Sequence, residues 1–414
     1  MTPLRFIRDN RQFLAAGVIL MFTSSYGQTF FVSTFAAQIM AAFSLSDGQW
    51  GLVYTLGTTV SAIVMFWAGA LTDRFRVRQL AWIVLPGLAL ACFFMAINTA
   101  VAGLVVCVFL LRFFGQGMMY QLAAVAMARW FVARRGLALS VSTLGISLGT
   151  AALPVLVAAL FEIVHWRTVW GMAGIATILT FPVLLLLLSR ERTPQSHAEE
   201  ASAAGMNGRH WTRKEVLKSS LFLMLLPILV GPPAWGTSLF FQQVHIAMVK
   251  GWPLVSYLSL IPILTVVLVV VTLISGVLID RFGSGRMMQL YVLPYAIGFL
   301  VLSLSSSLAG AAVAFVLFGV SMGMGATIVT AFWAEYYGTR YIGAIKATST
   351  SIMVFGSAIG PGISGVLIDA GFTFPDQMVG ISVYFLVAAG FARVAIARAQ
   401  ADLAVPGQVD VKGA

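Results

Sequence analysis

The amino-acid sequence predicts an all-α membrane protein with twelve transmembrane helices, arranged as two parallel repeats of six helices. The chain is 60% hydrophobic and only 9% charged, with a mean hydropathy of +0.95. The surface of a water-soluble protein of this size does not tolerate that balance. Twelve apolar runs are long enough to cross a hydrocarbon core of about 30 Å, and a motif that ends one run recurs half a chain later.

The apolar runs form two groups of six, joined by a polar segment. Lipid-exposed backbone must satisfy its own hydrogen bonds and the runs are too long for barrel strands, so each run is predicted to be a helix. The runs, numbered as spans 1 to 12, cover residues 12–40, 50–71, 79–98, 101–128, 136–162, 168–189, 218–247, 253–279, 287–307, 309–334, 342–369 and 377–397. We expect an N-terminal half at 1–189, a cytoplasmic linker at 190–217 and a C-terminal half at 218–414.

The repeat is visible in a motif at the end of spans 2 and 8. The first copy, G-A-L-T-D-R-F-R-V-R, contains Asp73, and the second, G-V-L-I-D-R-F-G-S-G-R, contains Asp280. The two aspartates are 207 residues apart, and the same offset relates Pro154 to Pro361. Parallel six-helix repeats are a known transporter plan, with the solute site between the halves near the midplane.

The basic charge of the chain follows its topology. With the N-terminus assigned to the cytoplasm, 22 of the 25 Lys and Arg residues fall on the cytoplasmic side. Arg167 and Lys250 lie outside, and Arg112 lies within span 4. This positive-inside bias predicts a multi-pass protein of the inner membrane with both termini cytoplasmic. The net charge of +11 therefore does not indicate a nucleic-acid partner, and the bilayer is the expected environment.

Two smaller features have structural interpretations. The linker is predicted to be flexible as far as Trp211, where W-T-R-K-E-V-L-K suggests a short interfacial helix ending at Lys218. Cys92 and Cys107 fall within apolar runs and are predicted to be small core residues.

The G-x-x-x-D-R turns after spans 2 and 8, together with the plan of six plus six spans, resemble the major facilitator superfamily over nearly the whole chain. Residues 112–154 carry R-F-F-G-Q-G, A-R-W-F-V-A-R-R-G-L-A-L and G-I-S-L-G-T-A-A-L-P. This segment is similar to the branch of monocarboxylate transporters and oxalate–formate exchangers. The resemblance implies secondary transport by alternating access.

The same resemblance implies a cytoplasmic gate formed by the repeated motif. Its aspartates would accept hydrogen bonds from a helix N-terminus and pair with basic residues when the cytoplasmic side closes. The alternative is a solvated turn that only obeys charge topology. The gate residues would be Asp73, Arg74, Arg78, Asp280, Arg281 and Arg286. Arg76 stands where the family usually has glycine.

Arg112 is the strongest single candidate for a functional residue. At about 1.5 Å per residue from Val101, it lies roughly 16 Å deep, where an arginine costs about 2.5–3.5 kcal/mol. The half-chain offset pairs it with uncharged Gly319. A scaffold requirement would recur in both halves, so the asymmetry favours an anion site. The alternative, a hydrogen bond to span 1 and nothing more, remains open.

Further candidates are polar and aromatic residues at cavity depth. Pro232, Pro233 and Gly236 are predicted to break span 7 and free backbone groups toward a cavity. Each of the polar groups could instead serve helix packing. Substrate binding is assigned to Arg112, Tyr26, Gln28, Gln116, Tyr120, Trp235 and Thr327.

The sequence also limits the chemistry. No span has an Asp or Glu in its middle, which disfavours drug/proton exchange and cation transport. His245, beside Gln242 and Gln243, could titrate near neutral pH, although an interfacial role is favoured. No nucleophile with a base, metal cluster or phosphate loop is present, so we expect no enzyme activity, metal or cofactor.

The sequence therefore predicts a monomeric transporter of a small organic anion, a monocarboxylate, with proton coupling left open. The absence of a second deep cation in spans 8 and 11 argues against a dianion. The alternatives are a multidrug exporter of the same fold, supported by several methionines, and a membrane sensor that binds solute without moving it.

Overall fold

The computed structural model describes residues 3–68, 71, 75–131, 135–188, 205–338, 341–400 and 403, and the regular elements in these ranges are all helices. Cytoplasmic ends are called inner and the opposite ends outer, following the predicted orientation. The first-half helices are α1 Pro3–Asp9, α2 Arg11–Thr23, α3 Thr29–Val32, α4 Ala36–Phe43, α5 Asp47–Ala68, α6 Val77–Ile97, α7 Val101–Leu110, α8 Tyr120–Trp130, α9 Arg135–Leu160 and α10 Trp166–Leu187. Short 3₁₀ turns at Ser24–Gly27 and Ser33–Phe35 and a π-helix at Leu111–Met119 interrupt this series.

The later helices follow a 3₁₀ turn at Met206–Gly208. They are α11 Arg213–Lys218, α12 Ser220–Phe241, α13 Gln243–Val249, α14 Leu254–Leu258, α15 Ile261–Phe282, α16 Ser284–Leu290, α17 Leu293–Leu304, α18 Leu308–Tyr337, α19 Ile342–Asp369 and α20 Phe374–Gln400.

The membrane-spanning helices match the predicted spans. Among the described residues, ten helical stretches are long and apolar enough to cross a membrane, and a bent pair, Arg11–Gly27 with Thr29–Phe43, makes an eleventh. Predicted span 2 corresponds to the 22-residue helix α5, which ends at the border of the described residues. Large apolar side chains such as Trp67, Ile83 and Leu186 are more than 60% exposed, as expected of helices that face lipid. The predicted fold class is confirmed.

The chain divides into two compact units. Unit 1 comprises Met1–Ala198, Thr237–Pro262 and Ala358–Phe374. Its core includes a cluster in which Trp170 lies against Phe31 and Phe35, together with the buried thiols of Cys92 and Cys107. The expectation that both cysteines are core residues is confirmed.

Unit 2 comprises Glu199–Gly236, Ile263–Ser357 and Pro375–Ala414. Its core contains the stacked rings of Tyr295, Phe299 and Phe385, with centroids 5.0–6.2 Å apart. These two units do not coincide with the predicted halves, and the division into halves at 189 and 218 stays a prediction.

The predicted break in span 7 is wrong. Helix α12 runs continuously from Ser220 to Phe241 through its three prolines. Pro232 has no N–H to offer the carbonyl four residues earlier, but the hydroxyl of Tyr291 donates to that carbonyl, Ile228 O, at 2.9 Å. The hydroxyl of Tyr384 donates to Pro227 O at 2.7 Å. The carbonyl that Pro232 leaves without its helix donor is thus bonded to a tyrosine of a neighbouring helix, and a second tyrosine adds a bond to the same stretch of backbone, which keeps the helix intact.

The end of the linker is more ordered than the sequence suggests. Gly205 N donates to Arg209 O at 3.0 Å, and Trp211 N donates to Tyr337 O at 3.0 Å. The short helix predicted before span 7 is present as α11, where Thr212 and Glu215 cap each other's backbone. Residues 189–204 lie outside the described part of the chain, so the flexible linker stays a prediction there.

Candidate functional site

Arg112 is held where span 4 leaves α-helical geometry. It is the second residue of the π-helix Leu111–Met119, and 1% of its surface is exposed. Spans 1 and 4 cross at two glycines: a Cβ on Gly115 would lie 2.6 Å from the Cα of Gly27. Because any larger side chain would force the helices apart, this crossing buries Arg112 against span 1.

Span 1 bends by 47° at the same level. Gln28 is extended, with φ −83° and ψ 153°, between a 3₁₀ turn and α3. The N–H of Phe31 donates to Gln28 O at 3.2 Å, so the carbonyl of Gly27 can accept from outside the helix. Nη1 of Arg112 donates to Gly27 O at 3.3 Å and to Thr29 Oγ1 at 3.2 Å. The hydrogen bond from Arg112 to span 1, which the sequence analysis considered, is therefore present.

Tyr54 on α5 completes this arrangement. Its hydroxyl and the Thr29 hydroxyl are 2.5 Å apart, and the guanidinium carbon of Arg112 lies 5.3 Å from the centre of the Tyr54 ring. The ring face therefore offsets part of the buried charge. Sequence reasoning missed Tyr54, because nothing in a single span indicates which neighbour it faces.

The hydrogen bonds from Arg112 to span 1 use only one nitrogen of its guanidinium group. Nε and Nη2 are buried and have no hydrogen-bond partner, and among the described residues no carboxylate lies within ion-pair distance of the guanidinium. Nε and Nη2 share one edge of the planar group, which is the edge that binds a carboxylate through two parallel hydrogen bonds. The site thus offers a fixed positive charge and two parallel donors.

Comparison with known proteins identifies the fold. A model of the Major Facilitator Superfamily matches residues 17–361. This chain belongs to the major facilitator superfamily. The proteins of this superfamily are carriers for small molecules rather than enzymes.

The amino-acid sequence of this chain is similar to that of a bacterial export protein. It is 24% identical over 388 residues to the "Tetracenomycin C resistance and export protein" of Streptomyces glaucescens, and the match covers 81% of this chain and 71% of that protein.

Solved structures agree on the fold. A bacterial homolog of the human lysosomal transporter Spinster, in its inward-facing and unoccupied conformation, has a TM-score of 0.71 at 17% identity, covering 96% of this chain and 99% of that one. The nucleoside transporter NupG, in a mutant form, has a TM-score of 0.68 at 12% identity, covering 95% and 100%. At these identities the likeness shows the fold alone.

The other predicted substrate residues of the first half lie on spans 1 and 4. Tyr26 is 8% exposed and packs edge-on against Phe31 at 5.3 Å. Gln28 forms the bend of span 1, and Gln116 lies one turn after Arg112, both half-buried. Tyr120 is 40% exposed. Their roles in binding stay predictions.

Trp235 and Thr327 belong to unit 2. Trp235 is half-buried and meets the Tyr384 ring edge-on at 6.0 Å. The hydroxyl of Thr327 is bonded to Ser275 Oγ and to its own helix at Met324 O. That contact joins spans 8 and 10, which is the packing use that the sequence left open for Thr327.

The cytoplasmic gate remains a prediction. Asp73 and Arg74 lie outside the described residues, as does the side chain of Asp280. The side chains of Arg78, Arg281 and Arg286 are exposed.

Proposed function

We propose that this protein is a secondary active transporter of a small organic anion, a monocarboxylate, and belongs to the monocarboxylate branch of its superfamily. It would work by alternating access in the inner membrane, as a monomer with both termini cytoplasmic. The observation that carries the proposal is the pair of buried donors, Nε and Nη2 of Arg112, that lack a partner.

A free buried charge is costly, so its persistence needs a reason. An arginine at mid-membrane costs about 2.5–3.5 kcal/mol even on insertion scales, and each unsatisfied buried donor adds about 1–3 kcal/mol. A carboxylate would satisfy both donors and neutralise the charge in one contact. One guanidinium matches one carboxylate, which favours a monocarboxylate over a dianion.

The half-buried outer arginine, Arg167, agrees with the proposed orientation. Nη1 of Arg167 donates to Ala96 O at 3.1 Å and to Asn98 O at 2.6 Å, at the C-terminal end of α6. Its guanidinium also lies 4.6 Å from the Trp166 ring. Arg167 therefore has a local structural use as a helix cap, which accounts for a cation on the side where few are expected.

The second candidate is export of larger apolar compounds, favoured by the similarity to a resistance and export protein. Such a substrate would not need Arg112. A sensor that binds without transport is the third possibility, and flux measurement separates it from both.

Uptake of radiolabelled short monocarboxylates into proteoliposomes tests the proposal. Loss of one partner of a buried charge pair costs about 2 kcal/mol or more, so Arg112→Ala should lower uptake roughly 30-fold or more. Arg209→Ala, at an exposed linker arginine paired with Glu215, is the matched control and should transport normally. Unchanged uptake by folded Arg112→Ala would refute the anion site, and binding without uptake in the unmodified protein would favour the sensor.

A further inference from the structure

A polar cluster at the outer end of unit 1 joins three helix termini and is not used by the proposed substrate site. It consists of Ser46, Asp47, His245 and Asp369. Asp369, at the end of α19, accepts from Ser46 Oγ at 2.6 Å and from Gly48 N at 3.1 Å. Its carboxylate therefore caps the first turn of α5, where the helix dipole favours a negative charge.

His245 on α13 makes the third connection of this outer cluster. Its Nε2 accepts from the N–H of Phe374 at 3.4 Å, and Phe374 is the first residue of the 27-residue helix α20. The ring thus satisfies one of the donors that every helix start leaves unpaired. Only the neutral imidazole can accept there, and the proton of that tautomer must be on Nδ1.

The other ring nitrogen faces a negative charge. Nδ1 of His245 lies 3.8 Å from Asp47 Oδ1, beyond hydrogen-bond distance, and has no hydrogen-bond partner. The side chain is 9% exposed. A buried imidazole therefore stands between a backbone donor that requires it to be neutral and a carboxylate that attracts its charged form.

We propose that His245 is a proton-binding site, and that a proton entering from the outer side releases the outer contacts of unit 1. On protonation, Nε2 becomes a donor that faces the N–H of Phe374, so this contact must break. The imidazolium is repelled by the start of α20 and drawn toward Asp47. The inference rests on membership of the transporter superfamily and does not depend on a carboxylate substrate.

The contacts that would be released are those between the first-half helices and the outer ends of α12 to α14 and α19. Gln243, two residues before His245, donates to Thr34 Oγ1 at 2.9 Å. Ser33 Oγ donates to Phe240 O at 2.6 Å. Since these bonds lie within a turn or two of His245, movement of α13 would loosen them together.

The direction of the pH effect follows from the burial of the histidine. Burial lowers the pKa of His245 below its ordinary value, and Asp47 opposes this only in part. The closed contacts are therefore most stable above the ordinary pKa of about 6.5 and weaken as the pH falls through it. Asp47 is the charged group that acts on His245, and Asp369 in the same cluster acts in turn on Asp47. Along the chain, Lys250 directly follows α13 and Asp376 lies in the first turn of α20.

Hydrogen–deuterium exchange of the full chain in nanodiscs tests this site. His245→Gln is the key variant, because a glutamine can accept from Phe374 and donate toward Asp47 but cannot titrate. His165→Gln is the matched control, since His165 is an exposed histidine of another outer turn. Exchange of peptides from 237–262 is compared between variants at each pH from about 7.5 to 5.5.

The unmodified protein and His165→Gln should exchange faster than His245→Gln at the acid end, by about tenfold for each unit by which the two states differ in pKa. Equal exchange in the unmodified protein and His245→Gln at every pH would refute the proposal, as would slower exchange at acid pH. Should His245→Gln not fold, Asp47→Asn provides the test. Because this variant lacks the carboxylate that attracts the imidazolium, its acid-induced increase in exchange should occur at lower pH than that of the unmodified protein. An unshifted transition would equally contradict it.

Discussion

Spans 1 and 7 occupy the same position in the two predicted repeats. In each of them the helix geometry is the opposite of what its proline content suggests. Span 7 contains Pro227, Pro232 and Pro233 and is continuous. Span 1 contains no proline and bends by 47° at Gln28. The difference lies in the neighbours: tyrosine hydroxyls satisfy the carbonyls of span 7, whereas Arg112 of span 4 binds the carbonyl that the bend in span 1 leaves open.

Spans 4 and 10, which also occupy the same position in the two predicted repeats, differ in the same way: the first is irregular and the second is regular. Span 4 changes to a π-helix at Arg112, while span 10, its counterpart, is a single α-helix of 30 residues. Span 10 also crosses a neighbour at glycines, since a Cβ on Gly323 would lie 2.6 Å from Leu268 O, but no charge is buried there. Close helix packing is thus common to both halves, whereas, among the residues that the structure describes, irregular backbone and a buried cation occur together only in the first. Such irregularities are frequent at functional sites.

The largest predicted effect concerns the crossing of spans 1 and 4. In Gly27→Ala the new Cβ would lie 2.7 Å from the Cα of Gly115, and backbone cannot move aside as a flexible side chain can. We expect a loss of about 1–3 kcal/mol of stability or more, seen as a lower midpoint of thermal unfolding. Gly236→Ala on span 7, whose Cβ would meet only side-chain atoms at 3.4 Å and beyond, is the control and should be tolerated. Equal midpoints would mean that the crossing is looser than described.

The next effect concerns the prolines of span 7. Tyr291→Phe should cost about 1–3 kcal/mol, because it leaves the buried carbonyl of Ile228 without a donor. In a Pro232→Ala background the restored N–H can bond this carbonyl, so the same substitution should cost much less. A double-mutant cycle on thermal unfolding measures the difference. Additive effects would show that Tyr291 does not replace the proline's missing bond.

The smallest effect is expected at Tyr54. Tyr54→Phe keeps the ring beside Arg112 and removes the hydroxyl that bonds Thr29. A neutral hydrogen bond contributes about 1 kcal/mol, so the Michaelis constant for a carboxylate should rise about fivefold with little change in maximal rate. Tyr257→Phe, on α14, should leave both parameters unchanged. An altered maximal rate with an unchanged Michaelis constant at Tyr54 would place this residue in the conformational step instead.

Several features could be predicted from the sequence because each depends on the residues of a single short segment. Apolar run length gives the spans, and a lone arginine among apolar residues identifies Arg112. The short helix after Trp211 follows from its capping residues, Thr212 and Glu215. Each of these signals is local, so no knowledge of neighbouring helices is needed.

The missed features depend on which helices meet. Tyr54 was missed altogether, and His245 was named without its partner; the bonded residues lie 25 and 129 positions away, and no local pattern indicates those pairs. The span 7 prediction failed for the same reason, since Tyr291 and Tyr384 lie on other helices. Propensity alone marks where a helix is weak, and tertiary contacts decide whether it breaks.

The most direct test of the anion site compares a short monocarboxylate with its neutral amide. Binding of each to the purified protein is measured by calorimetry, with and without Arg112→Ala, and folding is checked by thermal unfolding. The proposed site predicts that the unmodified protein binds the carboxylate at least about 30-fold more tightly than the amide, and that Arg112→Ala abolishes this preference. A preference that survives the substitution, or equal binding of acid and amide by the unmodified protein, would contradict it.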